Sequence, residues 1–247
     1  MREILTDLVA EQQSFDQYLQ KIPPRDWKKP VKAKGWSVQN LVAHLAHFED
    51  LATAAVEDGA DPMEEVARAG NFEALVKEGI VKGNSMRPQD VIEWWRLSRA
   101  ATMDALWLCE TDDRMPWFGG DLSAMLMATF RIMETWAHGL DVYDQHGVEV
   151  EASPRLRHVS FLGWKLLPVA YRRAGMEPVD IRVEVMGPNY SKWSFGPEGA
   201  PRIKGPALEW CRYIVQRSPL KDCPGLVAEG DDAEQALKLA TAYITPE

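Results

Sequence analysis

The sequence predicts an α+β chain: a four-helix bundle over residues 1–152, followed by a small α+β domain over 153–247. Three observations carry this. Apolar residues recur at helical period through four long stretches of the first part. The texture changes at Ser153-Pro154, and beyond it V-D-I-R-V-E-V alternates apolar and polar residues as a half-buried strand does.

The elements follow in order. Residues 2–21 place Ile4, Leu5, Leu8, Phe15, Tyr18 and Leu19 near one helical face until Pro23-Pro24 stops the run. Ser37 is the N-cap candidate of a second helix reaching about Val56, with Val38, Leu41, Val42, Leu45 and Phe48 inward. From Glu57 to Pro88 the pattern weakens, and Gly59, Pro62, Gly70, Gly83 and Asn84 divide short helical pieces, so this segment reads as an irregular crossover. A third helix starts after Pro88. The loop D-R-M-P-W-F-G-G ends at Asp121, the expected cap of a fourth helix over about 122–145. In the second part, Arg155 to Ala174 reads as one helix. Two strands follow, around 179–185 and 191–195, and then the link P-E-G-A-P. A helix from Ala207 to Gln216, a short strand at 226–228 and a last helix from Asp231 to Ile244 complete the domain.

Composition narrows the function classes. With 247 residues at 46% apolar content there is material for one large core or two smaller ones. No apolar run approaches the roughly 20 residues that span a bilayer. Met1 leads into an acidic amphipathic segment rather than a basic and then apolar leader, so a cytoplasmic location is expected and no membrane partner. Cys109, Cys211 and Cys223 show no C-x-x-C spacing, so neither a disulfide framework nor a zinc ribbon is implied. The net charge of -9 comes almost wholly from the first 155 residues, and neither part carries the basic stripe that nucleic acid requires.

The chemistry lies in the two longest helices. In R-I-M-E-T-W-A-H-G-L-D-V, Glu134 and His138 stand one turn apart and project from the same face. Arg131 and Asp141 join them on a single ionisable stripe. Such a stripe is costly to bury unless its members pair or hold an ion. An isolated E-x-x-x-H is common on helix surfaces, where Arg131 would pair with Glu134 while His138 and Asp141 formed a partly exposed edge. A third ligand from N-L-V-A-H-L-A-H would instead close a two-His, one-carboxylate metal site with an open position. His44 is preferred as the more central among the apolar positions, with His47 as competitor and Glu49 as a nearby carboxylate. Asp141 is placed to accept the other ring N–H of His138. Trp117 and Phe118 are candidate lid residues.

G-W-S-V-Q-N-L-V-A-H-L-A together with R-I-M-E-T-W-A-H-G-L-D-V resembles the DinB-like metal-binding bundle family, in the branch containing mycothiol-dependent maleylpyruvate isomerase. V-D-I-R-V-E-V-M-G-P, W-S-F-G-P, I-K-G-P-A-L-E-W-C-R-Y-I-V-Q-R and L-V-A-E-G-D are similar to the small C-terminal domain that accompanies that bundle, itself like sterol carrier protein type two. The resemblance covers nearly the whole chain. It implies metal ligands at His44, Glu134 and His138, zinc as the usual ion among divalent metals, and mycothiol as thiol cosubstrate. It also implies an active-site Arg from the C-terminal domain, for which Arg217 is the match and Arg182 or Arg212 the alternatives. The segment from Glu57 to Pro88 has no counterpart in it.

The expected chemistry is therefore that of a thiol-dependent isomerase or S-transferase acting on a small electrophilic substrate. An open zinc position lowers the pKa of a bound low-molecular-weight thiol, and the thiolate is the nucleophile. Arg131 or Arg217 would hold the carboxylate of an acidic substrate. Two rivals remain: a metal-dependent hydrolase with Glu49 or Asp141 as base, and a non-catalytic carrier of an apolar ligand. A homodimer is compatible with the sequence, which does not fix the oligomeric state.

Overall fold

Ser37 starts the central helix of the chain. Its hydroxyl accepts from the Asn40 N–H at 3.2 Å, while the Asn40 side chain accepts from the Ser37 N–H at 3.0 Å, closing a reciprocal cap. The computed structural model describes residues 1–31 and 35–243 and divides into two units, Met1–Val148 and Glu149–Tyr243.

The first unit contains α1 (Arg2–Leu19), α2 (Val38–Glu57), α3 (Pro62–Ala69), α4 (Phe72–Asn84), α5 (Pro88–Trp107), β1 (Arg114–Met115), β2 (Leu122–Ser123) and α6 (Ala124–Gln145). Helices α1, α2, α5 and α6 form the bundle, with α2 lying along α5 and α1 along α6. Phe15 of α1 meets Trp95 of α5 and Tyr143 of α6 edge to face, at 5.6 and 6.1 Å between ring centroids. Among the described residues no helix is long and apolar enough to cross a membrane.

Two expectations are corrected here. The segment from 57 to 88 is not irregular: α4 is a 13-residue helix packed on α2. Gly70, at φ 102°, does end a helix, but Gly79 and Gly83 are packing residues one turn apart. A Cβ on Gly83 would sit 2.2 Å from the Ala43 Cβ, so the missing side chain is what lets the helix axes approach. Gln39 secures the contact by donating to the Gly83 and Met86 carbonyls at 2.8 and 2.9 Å. Gly83→Leu should therefore destabilise the protein by about 1–3 kcal/mol through overpacking. The check is a lowered urea midpoint at unchanged slope, and unaltered stability would contradict this docking.

The second correction concerns α6. Its N-cap is Ser123, whose hydroxyl accepts from the Leu126 N–H at 3.2 Å, rather than Asp121. Leu122 and Ser123 are drawn into the β1–β2 pair, where the Asp121 carbonyl accepts from Arg114, so the helix starts two residues later than Asp121 would set it.

The second unit holds α7 (Leu156–Lys165), α8 (Leu167–Arg173), β3 (Arg182–Met186), β4 (Lys192–Phe195), β5 (Arg202–Pro206), α9 (Ala207–Ile214), β6 (Val227–Glu229) and α10 (Asp231–Leu239). The sheet order is β4-β3-β5-β6, with β3 and β5 parallel and the outer pairs antiparallel. Val183, Val185 and Ile203 are buried on its covered side, and α7 and α9 pack together, Gly163 lying under Trp210 and Ile214. The single helix expected over 155–174 is two, because Pro168 cannot continue the hydrogen-bond ladder and the chain breaks at Leu166. Strand β5 was not expected: R-I-K-G-P has one fully buried residue and no alternation, and it is a strand because β3 and β6 supply its partners. The last helix ends at Leu239 rather than running on, and Ile244 lies outside the described residues.

Candidate metal centre

Helices α2 and α6 bring His44, Glu134 and His138 together. The nearest Glu134 carboxylate oxygen, Oε2, is 3.3 Å from His138 Nε2 and 3.8 Å from His44 Nε2, and one ligand atom from each residue lies within 4.8 Å of the others. Four ligands at about 2.0–2.1 Å around a tetrahedral zinc stand roughly 3.4 Å apart, so the three side chains need little adjustment to share an ion. The imidazole centroids are 4.9 Å apart.

Electrostatics agree with that geometry. Burial pushes the His44 imidazole down to about 4, against the opposing pull of Glu134, so the ring is neutral at pH 7, as a ligand must be. Burial alone would raise the Glu134 carboxyl, but the facing His138 and His44 hold it well below the usual carboxylate range. The trio is thus a carboxylate facing two imidazoles, of which His44 is neutral at pH 7, and a cation is the natural complement. The residues fit a divalent metal.

Asp141 Oδ2 stands 3.4 Å from His138 Nδ1, on the side of the ring away from Glu134. Asp141 is itself buried, so it can fix the tautomer that presents Nε2 inward. His47 faces elsewhere. Its ring packs on Gly79 of α4, and it takes no part in the cluster. Arg131, on α6 one turn before Glu134, is 2% exposed, and its guanidinium lies over the Trp117 ring at 5.3 Å. It makes no ion pair with Glu134. Trp117 and Phe118 are both buried, in an aromatic wall that runs through Phe72 of α4 and Phe48 of α2 to His44.

Arg217 lies in the second unit, where its Nη1 donates to the Val215 carbonyl and to the Tyr243 hydroxyl, both at 2.7 Å. Arg182 donates to Glu184 at 2.6 Å and to the Gly196 carbonyl at 2.9 Å. Sequence reasoning missed Trp36, which stacks on His138 at 6.0 Å and 20° and meets His44 at 5.2 Å. Its position directly before the Ser37 cap, eight residues ahead of His44, is the signal that was there to use.

Residues 8–143 match the family model described as the mycothiol maleylpyruvate isomerase N-terminal domain. Two uncharacterized proteins of Mycobacterium tuberculosis, from strains CDC 1551 / Oshkosh and ATCC 25618 / H37Rv, are each 33% identical over 246 residues, covering 98% of this chain and 95% of their own. The crystal structure of the mycothiol-dependent maleylpyruvate isomerase has a similar fold, with a TM-score of 0.61 and 92% of each chain covered, at 16% identity. The chain, more than half of it matched by the model, thus belongs to the mycothiol maleylpyruvate isomerase family.

Proposed function

We propose that this protein is a metal- and thiol-dependent isomerase of a small electrophilic substrate, working in the cytoplasm with mycothiol as its thiol. The observation that carries the reading is the buried His44–Glu134–His138 cluster on the two helices that hold the family's motifs. Bound there, a zinc ion would supply an open Lewis-acidic position at which a thiol loses its proton near neutral pH. His44, Glu134 and His138 would hold the ion, and Asp141 would keep the His138 tautomer in place. Trp36 and the aromatic wall would limit water at the open face. Arg131 and Arg217 are the candidates for holding a substrate carboxylate, with Trp117 beside the first.

Isomerisation then requires reversible addition of the thiol across a conjugated double bond, and release of the adduct would make the same site an S-transferase. The protein's own thiols are poor substitutes: Cys211 is buried and pushed up to about 12, and burial also raises Cys109 and Cys223.

Calorimetric titration of the zinc-loaded protein with mycothiol, glutathione and cysteine tests the reading. Mycothiol should bind in a metal-dependent way, and the metal-stripped protein should show no heat. Ester or amide hydrolysis without any thiol, and no metal-dependent thiol binding, would replace it with a hydrolase.

A further inference from the structure

One polar side chain from each bundle helix meets at Glu49 of α2: Gln12 of α1 donates to it, and the charges of Arg99 of α5 and Arg131 of α6 act on it. Their hydrogen bonds do not close. Glu49 is 1% exposed; its Oε1 accepts from Gln12 Nε2 at 3.0 Å, but its Oε2 is shut off from solvent with no donor among the described residues. The Nε and Nη1 of Arg131 are likewise closed to solvent and have no acceptor among them. A buried guanidinium with open N–H groups is costly unless something accepts from them.

Glu49 is not that acceptor. The Arg131 charge acts on the Glu49 carboxyl, yet no hydrogen bond joins the two. Arg131 also acts on His44, and it stands one turn before Glu134 on the stripe that includes His138, so the residue lies on the metal side of the bundle. The guanidinium lies over the Trp117 ring at 5.3 Å, and its in-plane N–H forks are its recognition surface. A planar oxyanion is the ligand class that matches such a fork with two parallel hydrogen bonds.

We propose that Arg131 is the substrate-anchoring residue of this site, taking a carboxylate on the N–H fork that includes its open Nε, and that Glu49, whose carboxyl feels the Arg131 charge, is a positioning residue that moderates its hold on anions. Burial pushes the Glu49 carboxyl up while the Arg131 charge draws it back toward ionisation, so the guanidinium is already shared with one carboxyl group and a bound carboxylate can leave as well as enter. The inference rests on the proposed isomerase reading only in placing the reacting end of the substrate at the metal.

Maleate is a suitable probe, titrated calorimetrically into the full chain with and without zinc, for the wild type, Arg131→Lys, Arg131→Met and Glu49→Gln. Mycothiol binding and metal content are measured on the same samples. Loss of a bidentate charged contact should weaken maleate roughly tenfold or more in Arg131→Met. Arg131→Lys should fall between, since an ammonium keeps the charge but not the fork. Glu49→Gln should tighten maleate several-fold, and metal content and thiol binding should stay at wild-type levels in all three. The uncharged dimethyl maleate should bind independently of Arg131.

Equal maleate affinity in the wild type and both Arg131 variants would overturn the proposal, as would weakening in Glu49→Gln. Phosphate binding as strong as maleate and equally lost in Arg131→Met would replace a carboxylate site by a general anion site. Failure of the wild type to bind thiol, with Arg131-dependent maleate binding intact, would sink the isomerase reading and leave this one standing.

Discussion

Alanine in place of His138 is expected to empty the metal centre. Wild-type protein should carry about one divalent ion per chain in elemental analysis, and the His44→Ala, Glu134→Ala and His138→Ala variants should each retain little. The effect is large because the three ligand atoms sit in one buried cluster, and no other group of three or more His, Cys, Asp or Glu among the described residues offers a substitute. Asp141→Asn should act more mildly, with metal affinity falling about 10- to 100-fold as the His138 tautomer loses its partner. Full occupancy in His138→Ala would dismiss the assignment. Retention in His44→Ala with loss in His47→Ala would require α2 to turn so that Gly79 no longer faces His47.

The largest stability effect should come from Asp16. This carboxylate on α1 is 5% exposed and accepts from Arg96 Nε and Nη2 at 2.9 and 2.7 Å, and from Arg99 as well, so it ties α1 to α5. Asp16→Ala leaves the guanidinium groups of Arg96 and the more buried Arg99 without their shared carboxylate, and about 2–3 kcal/mol should be lost in urea unfolding at pH 7. The pH dependence has a definite sign. Burial pushes the Asp16 carboxyl up, but the hydrogen bonds from Arg96 and Gln20 and the charge of Arg99 outweigh it, so the folded value lies below the usual one. The contribution is therefore complete above the unfolded pKa of about 3.9 and fades as pH falls through the lowered folded value. The gap between wild type and Asp16→Ala should accordingly narrow on acidification, and a gap that stayed constant down to about pH 2 would show that packing rather than charge carries it.

How much of this was legible in the chain depends on the range of the forces involved. Helices α1, α2, α5 and α6 could be read because each follows a local rule: the 3.6-residue apolar period, the proline stop after α1, Pro88 at the first position of α5 and the Ser37 cap. Glu134 and His138 are legible for the same reason, since one turn of helix fixes their relation. The two helices of segment 57–88 were obscured by glycines that normally interrupt a helix. Gly83 is tolerated inside α4 because Ala43, forty residues away in sequence, packs against it. Strand β5 was hidden because its pairing with β3 and β6 is non-local.

The site divides along the same line. By itself the sequence determined which residue types can ligate, the one-turn spacing of Glu134 and His138, the pairing of motifs that marks the family, and the helix that offers a third candidate donor. Only the tertiary structure brings His44 rather than His47 to Glu134 and His138, because the two stand three residues apart on one helix and what distinguishes them is which neighbour each faces: α6 for the first, α4 for the second. It likewise decided that Arg131 does not pair with Glu134 but lies against Trp117 with its Nε and Nη1 unpartnered among the described residues, its charge acting on Glu49. Local periodicity sets where a side chain leaves its own helix; burial and charge then depend on the other helices that close around it, and those contacts join residues far apart in the chain.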